Sequence, residues 1–224
     1  SDGGIKISQP NSTTSLDLTL DDIGPAAAST NENVVIDVAG ANVSDLNITS
    51  ANDSFVVLEN SGASISTINV AGSGTLSLIG ALPNSITTIN AGTSSTSFTV
   101  STGTAGATIT GSSANDVIVL GGGTNNVDSG NGNDAITLST GNDTVNTGSG
   151  SDTVTASSGT NNITTGASGD QITLSGGTNT VNSGASNDQL TISGGTNNID
   201  TESGNDQITI SGGNNTLTTG NNND

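Results

Sequence analysis

Residues 183–210 read SGASNDQLTISGGTNNIDTESGNDQITI, and the pattern of this stretch repeats every nine residues. A branched apolar residue returns at each ninth position from Ile118 to the end of the chain without a slip. A fixed period this short indicates a solenoid, in which each repeat stacks on its neighbours. The apolar positions are Ile118, Val127, Ile136, Val145, Val154, Ile163, Ile172, Val181, Leu190, Ile199, Ile208 and Leu217.

Two positions before each apolar residue lies an Asp or an Asn, and the two types alternate. Residues of one type therefore recur every 18 positions, which makes two nonapeptides one turn of the coil. One edge of the coil should carry carboxylates and the other amides. The carboxylates are Asp116, Asp134, Asp152, Asp170, Asp188, Asp206 and Asp224. The amides are Asn125, Asn161, Asn179, Asn197 and Asn215, with Asp143 as the one exception.

The strands predict a thin core. Alternation within residues 206–210 places Ile208 and Ile210 on one face. The return strand at residues 179–183 has one large inward residue, Val181, followed by a small one. The core should therefore be two apolar residues deep on one sheet and one on the other. Each turn needs the next to cover it, as in other repeat proteins.

Residues 1–106 form a less regular β-rich region, and residues 107–224 form the nonapeptide coil. The first region contains short alternating runs separated by Gly, Ser and Asn, which are typical of β-strands. We expect a solenoid or a sandwich-like stack there, with at most one turn of helix at residues 21–30. The nine-residue spacing should begin at Val100 and Ile109. The expected fold class is all-β, a parallel β-solenoid of 18-residue turns preceded by a less regular solenoid-like region.

The composition excludes several functions. Lys6 is the only basic residue against 20 acidic ones, the net charge is −19, and there is no His or Cys. Nucleic acid is therefore not an expected partner, because nothing could neutralise its phosphates. No apolar run approaches the ~20 residues of a membrane-spanning helix. Neither thiolate metal sites nor a His or Cys catalytic group can occur, so we expect a cation-binding protein that is not an enzyme.

The carboxylate turns predict several Ca2+ ions along one edge. Gly in turns such as residues 129–134 and 147–152 allows positive φ and lets carbonyl oxygens face the gap between turns. Asp supplies a hard anionic oxygen from each of two successive turns. Ca2+ takes six to eight such oxygens in flexible geometry, whereas Mg2+ prefers a tight octahedron. The predicted ligands are the seven Asp residues from Asp116 to Asp224. A solvated acidic edge without ions is the alternative.

The amide edge should bind no ion, because a neutral Asn keeps the turn and can form a hydrogen-bonded ladder. Asp143 lies between Asn125 and Asn161 in this stack. We therefore expect no full calcium site there, or a weak one.

Residues 111–224 resemble the glycine-rich nonapeptide of RTX proteins, whose pattern is G-G-x-G-x-D-x-U-x. Residues 111–118, 130–136 and 148–154 carry the resemblance best, although most repeats lack the first Gly. The resemblance implies a right-handed parallel β-roll, type I secretion and folding on meeting extracellular calcium. Residues 68–78 and 82–91 resemble calcium-dependent bacterial surface-layer proteins.

These features favour a structural protein that is secreted to the bacterial cell surface. The first hypothesis is a segment of a surface layer or extracellular array that self-associates when calcium binds. The alternatives are the stalk of an RTX adhesin and the C-terminal secretion module of a secreted enzyme. An outward Thr column also leaves ice binding as a remote alternative. Its members are Thr137, Thr155, Thr173, Thr191 and Thr209.

Overall fold

The computed structural model describes residues 5–8, 14–21, 34–39, 42–59, 64–221 and 224. These residues form strands and turns, and they include no helix that could cross a membrane. Residues 22–30, where a turn of helix was predicted, lie outside the described part of the chain. The strands are β1 (Ile5–Ser8), β2 (Ser15–Leu20), β3 (Val34–Ala39), β4 (Asp45–Ser50), β5 (Ser54–Glu59), β6 (Thr67–Gly72), β7 (Leu76–Ala81), β8 (Thr88–Asn90), β9 (Phe98–Ser101), β10 (Thr108–Thr110), β11 (Val117–Val119), β12 (Asn126–Asp128), β13 (Ala135–Leu138), β14 (Asn142–Asn146), β15 (Thr153–Ala156), β16 (Thr160–Thr164), β17 (Gln171–Leu174), β18 (Thr178–Asn182), β19 (Gln189–Ile192), β20 (Thr196–Asp200), β21 (Gln207–Ile210) and β22 (Asn214–Thr218).

The strands form two parallel sheets of eleven strands each. The odd-numbered strands make one sheet and the even-numbered strands the other, each in chain order. The chain therefore alternates between the sheets and completes one turn with every second strand. This arrangement confirms the predicted all-β parallel solenoid.

From β9 onward, successive turns are 18 residues apart. Val100 pairs with Ile118, and Ile109 pairs with Val127. The predicted start of the nine-residue spacing at Val100 and Ile109 is therefore confirmed. Both sheets continue without a break from the less regular region into the nonapeptide coil.

The first region is the same solenoid with longer connections between its strands. The inward column of the even-numbered sheet stays in register while the number of residues per turn shrinks along the chain, whereas the odd-numbered sheet has one register shift where β7 pairs with β9. On the even-numbered sheet this column runs Leu16, Leu46, Ile68, Ile89, Ile109 and Val127, with spacings of 30, 22, 21, 20 and 18 residues. The extra residues lie in the turns, so that the core remains continuous although the sequence period does not.

The core of the nonapeptide coil has the predicted asymmetry. Ile136 and Leu138 on β13 are buried, and Val145 is the large buried residue of β14. Thr147, which follows Val145 on the inside, is also fully buried. From Ile118 to Thr201 each turn thus encloses three apolar side chains and one hydroxyl between its two edges. In the last turn Ile210 and Leu217 are exposed, although Ile210 was predicted to face inward, because no further described turn covers them.

The two regions fill their edges differently. In the first region, Val43 and Ile65 are fully buried at one edge, and Leu76 and Phe98 are buried at the other. From Asp116 onward, buried Asp and Asn residues take these places. The backbone N–H of Phe98 donates to Asp116 Oδ1, so the apolar column continues directly into the polar one. Folding of the second region therefore requires polar side chains to leave water.

Candidate metal site along the carboxylate edge

The two edges of the nonapeptide coil have turns of different length. Six-residue turns that end in Asp form the carboxylate edge, and from β13 onward three-residue turns form the amide edge, whose first turn at residues 120–125 is longer. The six-residue turns are residues 129–134, 147–152, 165–170, 183–188 and 201–206, and the three-residue turns are 139–141, 157–159, 175–177, 193–195 and 211–213. The longer turns give the carboxylate edge more backbone oxygens per turn.

The carboxylates of the edge are joined by a directional ladder of hydrogen bonds. The backbone N–H of Asp134 donates to Asp152 Oδ1 over 2.8 Å, and that of Asp152 donates to Asp170 Oδ1 over 2.8 Å. The same bond joins Asp170 to Asp188 and Asp188 to Asp206 over 2.9 Å. One oxygen of each carboxylate is therefore used to hold successive turns in register.

The second carboxylate oxygen has no partner. Asp134, Asp152, Asp170, Asp188 and Asp206 each have a buried Oδ2 that makes no hydrogen bond. These side chains are at most 6% exposed. A buried ionised carboxylate with an unpaired oxygen is costly unless a cation compensates it. The row of unpaired oxygens therefore fits the predicted cations.

Burial disturbs the ionisation of this row. Burial is the largest cause, and together with the charged carboxylates on adjacent turns it raises the pKa of Asp134 and Asp170 to about 6. Hydrogen bonds from the backbone N–H groups of the preceding turn partly offset the effect. Burial also raises the pKa of Asp152 and Asp188 above the ordinary value. Without a cation, the folded protein therefore favours protons on this edge.

Asp116 and Asp224, at the two ends of the ladder, differ from the central members. Asp116 Oδ2 accepts the backbone N–H of Ser112 over 2.6 Å, and Oδ1 accepts the Ser112 hydroxyl over 2.7 Å. Both carboxylate oxygens of Asp116 thus accept hydrogen bonds from the protein. Asp116 therefore ends the row of unpaired carboxylate oxygens. Asp224 is exposed, and its Oδ1 accepts the backbone N–H of Asp206 over 3.1 Å.

The backbone of the six-residue turns adopts the predicted positive φ. Gly148 and Gly150 have φ of 89° and 133°. A Cβ at Gly148 would lie 2.0 Å from the carbonyl oxygen of Gly130, so only Gly fits this close approach. Ser168 and Ser186 occupy the place of Gly150 in later turns with φ of 100° and 93°, which strains an L-residue.

The turn backbones are themselves stacked by hydrogen bonds. The N–H of Ser149 donates to the Gly130 carbonyl over 3.1 Å, and that of Gly132 donates to the Ser149 carbonyl over 2.9 Å. Each carbonyl keeps a second lone pair that could bind a cation. The stacking fixes where these oxygens stand relative to the carboxylates.

A column of buried hydroxyls beside the carboxylates was not predicted as part of the site. Thr147 donates to the Thr165 carbonyl, and Thr165 to the Ser183 carbonyl, both over 3.0 Å. The hydroxyls of Ser183 and Thr201 are buried and make no hydrogen bond. The sequence does carry a signal for this column, because a Ser or Thr lies five residues before each Asp of this edge from Asp134 to Asp206. The alternation of the return strand predicts only that this residue is small and faces inward.

Among the described residues, no three carboxylates come close enough to form a metal cluster. The Asp side chains stand in single file, one for each turn. A cation between two turns would therefore take carboxylate oxygens from two Asp residues and complete its shell with neutral oxygens. Ca2+ accepts such a mixed and irregular set, whereas zinc prefers the sulfur and nitrogen ligands that this chain lacks.

The amide edge forms the predicted ladder. Asn161 Nδ2 donates to Asn179 Oδ1 over 2.8 Å, and Asn179 Nδ2 donates to Asn197 Oδ1 over 2.7 Å. Each of these amides also donates to the carbonyl oxygen three residues earlier, over 3.0 Å. These amide groups need no cation to be buried.

Part of the chain matches a known repeat family. Residues 102–136, 121–154, 131–163 and 155–190 match the family described as RTX calcium-binding nonapeptide repeat. No curated protein and no solved structure matches the chain. The match begins nine residues before the first repeat that the sequence resemblance covered.

Proposed function

Because residues 102–190 are RTX calcium-binding nonapeptide repeats, we propose that Ca2+ ions bind between successive turns along the carboxylate edge. The observation that supports this placement is the row of buried Oδ2 atoms without partners on Asp134, Asp152, Asp170, Asp188 and Asp206. Four gaps between turns are flanked by two such carboxylates. Asp116 ends the row on one side. On the other side, Asp224 would contribute only to a weaker calcium site in the gap beside Asp206.

Calcium would couple binding to folding. The chain carries a net charge of −19 and few large apolar residues, so the repeats without calcium should be close to unfolding at neutral pH. Binding of ions between turns removes the carboxylate repulsion and the unpaired oxygens at once. The free energy of binding then becomes free energy of folding, as in other proteins that fold around metals.

The calcium placement can be tested with matched variants. Asp170→Asn removes one charge from the centre of the row, and Asp128→Asn removes one from an exposed position on β12. We expect calorimetric titration to show fewer bound ions, and a higher calcium midpoint of folding, for Asp170→Asn only. Equal effects of the two variants would mean that calcium binding depends on the net charge of the protein and not on the carboxylates of this edge.

The biological role that we propose is structural. The protein would be part of a secreted bacterial surface layer or similar extracellular array that assembles when calcium is bound. RTX repeat proteins are typically secreted, and Thr, Gln and Asn residues lie on the outer faces of the solenoid. Gln171, Gln189 and Gln207 form an exposed hydrogen-bonded row on one face. Such a face offers regular donors and acceptors to a neighbouring copy.

Electron microscopy of the purified protein with calcium and with a chelator tests the array. Sheets or ordered tubes that form only with calcium would support it. Separate rods at every concentration tried would contradict the array and favour an adhesin stalk. The observation that supports a stalk is that both sheets run through the whole series of strands.

A further inference from the structure

One rung of the amide ladder carries a carboxylate, and its surroundings are those of an amide. In the regular rungs, the Nδ2 of each Asn donates both to Oδ1 of the next turn and to the carbonyl three residues earlier. Asn161, Asn179 and Asn197 all follow this rule, with N···O distances of 2.7 to 3.0 Å.

Asp143 replaces the amide in the turn before Asn161. Its Oδ1 takes the regular acceptor role, because it receives Asn125 Nδ2 over 2.8 Å and the Asn125 backbone N–H over 3.1 Å. Its Oδ2 therefore takes the place of the donor nitrogen. The strand register pairs Asp143 with Asn161, and both Asp143 Oδ2 and Asn161 Oδ1 are buried without a hydrogen-bond partner.

Two facing oxygens need a positive particle between them, which is either a proton or a metal ion. The equivalent gap in the next rungs, 2.7 to 2.8 Å, is the ordinary length of an O–H···O bond. Ca2+ needs six to eight oxygens, and this edge supplies only the carboxylate of Asp143, with neutral amides on both sides. We propose that Asp143 is a neutral carboxylic acid in the folded protein, and that its proton joins Oδ2 to Asn161 Oδ1.

The electrostatic surroundings agree with this assignment. Asp143 is 2% exposed, and burial raises its pKa while the hydrogen bonds from Asn125 lower it. On the strands that pack against β14, which are β12, β13, β15 and β16, the only titratable group is Asp128 of β12. Asp128 is exposed and points away from the core, and Asp134 and Asp152 lie on the opposite edge. No cation faces Asp143 from these strands to favour the ionised form.

Infrared difference spectroscopy of calcium-saturated protein at pH 5 tests the proposal directly. An ordinary Asp is ionised at this pH. We expect a carboxylic-acid C=O band that is present in the wild type and lost in Asp143→Asn. We also expect Asp143→Asn, which restores the amide donor, to raise the urea midpoint of unfolding at pH 8 more than at pH 5. The bound calcium count should be the same in both proteins.

Three results would overturn the proposal. Loss of one bound calcium ion in Asp143→Asn would show that a metal joins the two oxygens. Absence of the acid band at pH 5 would show that the carboxylate is ionised. Asn179→Asp recreates the same contact one turn beyond Asn161, so it should gain the acid band and a lower urea midpoint at pH 8. An Asn179→Asp variant that shows no acid band, or whose urea midpoint at pH 8 is not lowered, would refute the reasoning from the ladder.

Discussion

The calcium-free protein should lose stability as the pH rises from 4 to 7. Asp134 and Asp170 have pKa values of about 6 in the folded state because of their burial, against an ordinary value near 4. Below pH 4 both carboxyls are protonated in the folded and the unfolded chain. Between pH 4 and 6 the folded chain keeps protons that the unfolded chain releases, so stability falls as pH rises. Above pH 6 this proton-linked stability is fully lost.

The size of this effect follows from the two pKa values. A difference of about 2 units corresponds to about 3 kcal/mol for each carboxyl at ~1.4 kcal/mol per unit. The two groups together give on the order of 4 to 6 kcal/mol after allowance for partial solvation. A typical domain is stable by only about 5 to 15 kcal/mol. The metal-free repeats should therefore be near their unfolding threshold at neutral pH.

Urea unfolding in chelator at pH 4, 5, 6 and 7, followed by circular dichroism, measures this slope. Asp134→Asn and Asp170→Asn should each flatten it, and Asp128→Asn, at an exposed position, should leave it unchanged. With saturating calcium the slope should change sign, because protons then compete with the metal for the same oxygens. If the chelated protein became more stable with rising pH, the carboxylates would not be buried in this way.

Three other predictions follow from the turns and the core. Ser168→Gly should stabilise the protein by about 0.5 to 1 kcal/mol in thermal unfolding, because φ of 100° strains Ser and not Gly; destabilisation would show that the Ser side chain matters more. Ile163→Ala should destabilise by about 2 to 5 kcal/mol in the presence of calcium, since this side chain is fully buried; an effect below 1 kcal/mol would contradict a packed core. Hydrogen exchange of the whole chain in chelator should leave the amides of β4 and β6 protected while those of β16 and β18 exchange, because only the latter turns depend on buried polar edges; uniform exchange would contradict this division.

The sequence predicted the second region well because a single spacing controls it. Each turn has 18 residues, so the apolar residues and the edge residues can be placed by counting alone. The strand register of the first region could not be predicted by counting residues. Leu16, Leu46 and Ile68 share one inward column, but the turns between them differ by eight residues. The edge there is filled by residues such as Val43 and Ile65, which carry no periodic polar signal.

Within the site, the spacing predicted the row of carboxylates but could not tell its members apart. Asp116 has the same spacing as Asp134, yet Ser112 satisfies both of its oxygens. That difference depends on the backbone conformation of the turn at residues 111–116, whose sequence differs from those of the later turns. The five carboxylates of the row with unpaired buried oxygens, from Asp134 to Asp206, are therefore the proposed metal ligands.

The pairing of every turn with the next has a mechanical consequence. Along the axis, one turn of the nonapeptide coil adds only about 4.8 Å of length, the spacing of neighbouring strands. The 18 residues of that turn, once pulled straight, span about 60 Å. Force applied to the ends should therefore peel the coil in equal steps of about this size. Turns of the first region, such as the 22-residue turn from Leu46 to Ile68, should lengthen the chain by about 75 Å each. The solenoid would then absorb mechanical work by unfolding one turn at a time, and bound calcium would raise the force needed to unfold each turn.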